Sequence, residues 1–135
     1  MPSAFRWLLR FGLETLLRAP AIIVRVLAAI LIVWTCLLAL PGSASYFPAP
    51  AWQWGWVAFD ATLAGALFAL AHRWRQPLAD IVATVVTADA VATFIQAIAF
   101  DLPRRTGLVD VAVIVVAMAA PSIAAILLWS ARSHR

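Results

Sequence analysis

Four apolar stretches, each close to the length that crosses a bilayer and held apart by short polar turns, fill most of this 135-residue chain. A helix needs about 20 residues to cross a hydrocarbon core roughly 30 Å thick, and the windows 21–40, 55–71, 78–100 and 108–129 meet or approach that length. Apolar residues make up 65% and charged residues 12% of the chain, outside the range of an ordinary water-soluble domain. A transmembrane barrel would need segments alternating apolar and polar, whereas these windows are apolar all round and rich in Ala, Leu and Val. The expected fold is therefore all-α: a polytopic membrane protein with a compact four-transmembrane-helix bundle over 20–135, preceded by an amphipathic interfacial helix over 1–19.

That first segment repeats a charged residue every fourth position, Arg6, Arg10, Glu14 and Arg18, with Phe5, Leu8, Leu9, Leu13, Leu16 and Leu17 mainly opposite. Such a pattern lets a helix lie in the headgroup region, and Ala19-Pro20 then breaks it before the first crossing. The Arg-rich start followed by an apolar run also suits a signal peptide. The run is long for a signal core and leads through a Trp-rich loop into another span, so the first span is read as part of the mature protein.

Orientation rests on arginine, since the ten basic residues include no lysine. Arg104 and Arg105 lie in the last loop, offset by Asp101 and Asp110, and the other eight flank the first span, the turn after the second span or the C-terminus. The positive-inside rule then places both termini in the cytoplasm. The net charge of +4 follows the membrane face and comes without a nucleic-acid motif, so anionic lipid headgroups are the expected partners and nucleic acid is not.

The loop PGSASYFPAPAWQWGW carries no charge and combines three prolines with Tyr46, Trp52, Trp54 and Trp56. It reads as irregular backbone with an aromatic belt at the membrane surface. Within the spans, Ala61, Gly65 and Ala69, then Ala88 and Ala92, then Ala117, Ala120 and Ala124 recur at helical spacing and would let the helices approach closely. Pro121 deprives the Ala117 carbonyl of its helical hydrogen bond, which predicts a bend.

Carboxylates inside the membrane demand the most explanation. Counting about 1.5 Å per residue, Asp89 lies about 16 Å and Asp60 about 18 Å from the cytoplasmic ends of their spans. The two spans form a hairpin around Gln76-Pro77, so these carboxyls share a depth and could face one another. Thr93 and Gln96 follow Asp89 at i+4 and i+7, extending a polar row on one helix face. A charge at this depth costs several kcal/mol, so Asp89 is expected to face protein and to be protonated, paired or solvated. One use is a fixed hydrogen bond that sets helix register; others are proton or cation handling and ligand binding. Asp80 and Arg25, both near the cytoplasmic ends of their spans, form a candidate ion pair.

Conventional chemistry has little support. No nucleotide-binding, zinc-protease or serine-hydrolase motif occurs, Cys36 is the single cysteine, and His72 and His134 lie near the boundary without a ligand cluster. No metal or other cofactor is implied, and an enzyme is the less favoured class.

The run WVAFDATLAGALFALAHRWRQPL with IVATVVTADAVATF resembles an uncharacterised family of small four-span membrane proteins from actinobacteria and other high-GC bacteria. The resemblance covers the second to fourth spans and implies the same four-span fold. It draws attention to Asp60 and Asp89 without transferring an activity; Val91 and Ala92 replace the aromatic residues that family tends to place after its third-span Asp. TADAVAT and LVDVAVIVVAMAAP also resemble a small subunit of multisubunit cation/proton antiporters, a type with three spans. The leading expectation is a small accessory or scaffold subunit that forms a homo-oligomer or joins a larger membrane complex. The alternatives are a proton- or cation-coupled transport component using Asp60 and Asp89, and a small intramembrane enzyme or lipid- or isoprenoid-binding protein.

Overall fold

A computed structural model describes residues 20–133; the amphipathic segment expected over 1–19 and His134 lie outside the described residues. Four helices are long and apolar enough to cross a membrane. Helix α1 spans Pro20–Leu38, α2 Pro50–His72, α3 Gln76–Gln96 and α4 Leu108–Ser133. A 3-10 turn at Pro41–Tyr46 links α1 to α2, and α3 runs on through a π turn at Ala97–Asp101 into a 3-10 turn at Leu102–Arg104. This is the expected multi-pass helical bundle, with α2 and α4 longer than their apolar windows and α3 longer once its π and 3-10 turns are included.

Proline explains much of the extra length. The preceding residue Ala49 is extended and Pro50 opens α2, where a missing N–H breaks no helical bond. Trp52, Trp54 and Trp56 are therefore helical, which corrects the reading of their segment as irregular loop. A proline at the first turn starts a helix; it prevents one only in the interior. Pro77 plays the same part near the start of α3, while α4 continues through Pro121 to Ser133, with the Ser122 hydroxyl donating to the Met118 carbonyl at 2.9 Å.

Packing is closest within the pairs α1–α2 and α3–α4, and looser between α2 and α3 despite the three-residue turn that joins them. The core gathers Val24 and Ala28 of α1, Leu63, Leu67 and Leu70 of α2, Val82, Ala83 and Val86 of α3, and Ala125 and Leu128 of α4. All lie in the half of the bundle near the α2–α3 turn. Toward the other end α2 and α3 separate.

Small residues follow the same division. Ala71, Ala79 and Ala83 are buried where the helices meet, whereas Ala61, Gly65 and Ala69 on α2 and Ala88 and Ala92 on α3 are exposed. The stripes expected on α2 and α3 are thus turned outward, whereas on α4 Ala124 packs against the core, Ala117 is half-buried and Ala120 is exposed. In a span that is apolar all round, side-chain size alone does not say which face meets protein.

At the separated end, polar side chains tie the loops. Gln53, buried on α2, donates to the Leu38 carbonyl at 2.7 Å and the Leu40 carbonyl at 3.2 Å, satisfying acceptors at the end of α1. Tyr46 donates its hydroxyl to Asp110 at 2.6 Å, and Arg105 donates to the Ser45 carbonyl while its guanidinium lies over the Tyr46 ring.

Candidate functional site

Asp60 sits on the inward face of α2, in register with the buried Leu63, Leu67 and Leu70, and is 4% exposed. No hydrogen bond to its carboxyl occurs among the described residues. Asp89 of α3 is half-buried and lines a cleft together with Phe59, the residue before Asp60. The two carboxyls thus lie on the facing helices α2 and α3, on either side of Phe59 and the cleft. Thr93 donates to Asp89 Oδ1 at 3.3 Å, which places Thr93 beside Asp89 as well.

Gln96 belongs elsewhere. Its Oε1 accepts the Trp56 indole N–H at 3.0 Å, and its Nε2 donates to the Tyr46 carbonyl at 3.4 Å. The i+7 spacing aligns Gln96 with Asp89 along α3, but both ends of its amide face α2 and the first loop. It bridges helices and does not serve the carboxyl pair.

Where α2 and α3 part, they leave a cleft of about 640 Å³. Trp52, Gly55, Trp56 and Phe59 line it from α2, and Ala88 and Asp89 are among its walls on α3. Trp56 and Phe59 meet edge to face, with centroids 5.7 Å apart and planes at 89°. A Cβ placed on Gly55 would meet nothing within 4 Å, so this stretch of α2 faces open space. The four aromatics expected at the membrane surface consequently divide their roles: Trp52 and Trp56 border the cleft, Tyr46 joins the loop contacts, and Trp54 points outward.

The candidate pair of Arg25 and Asp80 is not formed. Asp80 instead accepts from Arg132 Nε at 2.5 Å and from Gln76 Nε2 at 3.1 Å, while Arg25 is exposed on α1. Helix α4 lies against α3, and one further turn beyond its apolar window carries Arg132 to Asp80. Thr87, on the same helix as Asp80, accepts the Trp129 indole N–H at 3.0 Å, a second polar tie between α3 and α4.

Several participants had little sequence signal. Phe59 precedes Asp60 and follows Trp56 by three residues, a spacing that could have marked an aromatic face. Gln53, Arg105 and Asp110 act through loop geometry that no local pattern encodes. Asp101, at the π turn, is buried and leaves Oδ1 without a hydrogen-bond partner among the described residues. No group of three or more His, Cys, Asp or Glu side chains suited to a metal ion occurs among the described residues.

Comparison with family models, curated proteins and solved structures gives no match, so a functional reading rests on the chemistry of these residues. That chemistry comprises two carboxyls on facing helices of an apolar bundle, one of them in the wall of an aromatic-lined cleft.

Proposed function

We propose that this chain is a small accessory or scaffold subunit of the bacterial inner membrane, with both termini in the cytoplasm, packing with itself or a larger membrane complex. The observation that carries this reading is the outward stripe Ala61, Gly65 and Ala69 on α2. A Cβ on Gly65 would meet nothing within 4 Å, leaving the backbone accessible to another helix. In lipid, where burial of apolar surface no longer drives association, close backbone approach is a principal source of helix–helix attraction.

Cysteines placed singly at positions 61, 65 and 69 in a Cys36→Ala background test the association. Cross-linking in native membranes should give a dimer or a larger adduct, and Gly65→Leu should suppress it. A chain that stays monomeric at all three positions would refute the scaffold reading. For orientation, an impermeant thiol reagent applied to intact cells should label a cysteine at 45 and spare one at 76. The arrangement of Arg104, which donates to the Phe100 carbonyl, and Arg105, which contacts Ser45 and Tyr46, supports this orientation by giving both outer arginines local partners.

The buried carboxyl of Asp60 on α2 and the half-buried one of Asp89 on the facing α3 favour a second reading, a proton- or cation-coupled component. Reconstituted protein would then carry proton or sodium flux above empty liposomes and lose it in Asp89→Asn.

A further inference from the structure

The cleft between α2 and α3 has a composition that selects among guests. Among the described residues, Asp89 is the one ionisable side chain in its lining, and no arginine or histidine lines it. Three aromatic residues, Trp52, Trp56 and Phe59, stand on the facing wall. A carboxylate opposite aromatic rings attracts a cation twice, by charge and by the negative π faces, and both attractions strengthen away from water. Thr93 donates to Oδ1 of Asp89, and Oδ2 receives no hydrogen bond among the described residues.

Size and accessibility agree. A volume of about 640 Å³ lies within the range of small-molecule sites, roughly 300–1,000 Å³. Gly55, Ala88 and Ala92 keep the walls low, and their exposure opens the cleft to the surroundings of the bundle. A neutral acyl chain would fill the volume but leave the Asp89 carboxyl uncompensated at membrane depth. A helix from a second copy is no better matched, because Arg25, Arg73, Arg75, Arg104, Arg105 and Arg132 lie near helix ends and bring no positive charge to mid-span.

The geometry points to this cleft as a binding site for a lipophilic organic cation, an ammonium or phosphonium centre with an apolar body, held by Asp89 and the rings of Trp52, Trp56 and Phe59. The cationic centre lies against Asp89 and the ring faces, and the apolar body occupies the space beside Gly55, Ala88 and Ala92. The inference shares its carboxyls with the coupled-transport reading but needs no movement of the guest, and it is independent of subunit association. A binding measurement can therefore fail while flux or cross-linking succeeds, and the reverse.

Equilibrium binding of tritiated tetraphenylphosphonium to the full chain in lipid nanodiscs provides the test. Saturable binding is expected, weakened at least about tenfold by Asp89→Asn, a change of ~1.4 kcal/mol, and largely retained by Asp89→Glu. Gly55→Leu should abolish binding by filling the cleft at a position with open space, so its fold is kept even if Asp89→Asn proves unstable. Arg25→Gln, away from the cleft, should bind as wild type does. Absence of saturable binding overturns the proposal, as does equal affinity in folded Asp89→Asn or full binding by Gly55→Leu. Displacement by neutral tetraphenylsilane as effective as by the unlabelled cation would also overturn it, identifying a neutral apolar groove.

Discussion

The indole N–H of Trp56 on α2 reaches the amide oxygen of Gln96 on α3 at 3.0 Å, spanning the two helices where their packing is loose. Gln96 in turn donates to the Tyr46 carbonyl, so one side chain links both helices to the first loop. Interhelical hydrogen bonds in membrane proteins are worth roughly 0.6 kcal/mol on average and up to about 1.7. A double-mutant cycle with Trp56→Phe and Gln96→Leu, read by unfolding in mixed micelles, should show a coupling in that range. Strict additivity of the two substitutions would mean that the bridge contributes nothing.

Asp60 offers a contrasting case. It is buried in register with Leu63, Leu67 and Leu70, without a hydrogen bond or ion pair among the described residues. Replacing a buried carboxyl of this kind by a neutral side chain removes a desolvation cost without breaking a contact. Asp60→Asn and Asp60→Leu are expected to match or exceed wild-type thermal stability in detergent. A loss of more than about 2 kcal/mol would assign Asp60 a structural bond.

Asp89 should behave differently because Thr93 already bonds it. Asparagine preserves an acceptor for the Thr93 hydroxyl, whereas leucine removes it. The expected order of stability is wild type, Asp89→Asn, Asp89→Leu, with about 1 kcal/mol between the last two. Indistinguishable melting of the two variants would show that this contact has no energetic weight.

Tyr46 supplies a pH-dependent signal outside the spans, and it is the single tyrosine. The hydrogen bond to Asp110, followed by desolvation and the Asp110 charge, raises its pKa above the ordinary value of about 10. A group whose folded pKa is raised gives stability that is complete below the unfolded value and lost as pH rises through the folded one. The loop contact should therefore hold through neutral pH and weaken only in alkali. Phenolate absorbance should titrate above free tyrosine, and Asp110→Asn should lower the midpoint. An unchanged midpoint in that variant would contradict the Tyr46–Asp110 bond.

The ion pair of Asp80 and Arg132 is partly exposed, so its contribution should be small and salt-dependent, within about 1 kcal/mol. Arg132→Gln should lower stability by that amount at low ionic strength, and Arg25→Gln should not. Equal effects of the two would restore Arg25 as a partner of Asp80.

The spans were legible because lipid imposes a length and a composition that few sequences meet by accident. The positions of Asp60 and Asp89 along α2 and α3 were legible for the same reason, since helical rise converts residue number into distance along a helix. Lateral information was not. Where lipid-facing and protein-facing residues are both apolar, no amphipathic stripe separates Gly65 from Leu67, and the outward turn of Ala61, Gly65 and Ala69 was hidden. Asp80 had several arginines near its end of the bundle, and choosing Arg132 over Arg25 required the close packing of α3 on α4. Gln96 finds partners 40 and 50 residues away, beyond any local pattern.

The one-sided core gives the bundle the mechanics of tongs. Val24 and Ala28 of α1 with Leu63, Leu67 and Leu70 of α2, and Val82, Ala83 and Val86 of α3 with Ala125 and Leu128 of α4, join in one core beside the short turn, which acts as a fulcrum. At the far end the jaws are held by side-chain bonds such as Trp56–Gln96, and regions with few buried apolar contacts open at lower free energy than the core. The gape can therefore change while the grip stays closed, and a bulky guest could wedge α2 from α3 without unfolding the protein.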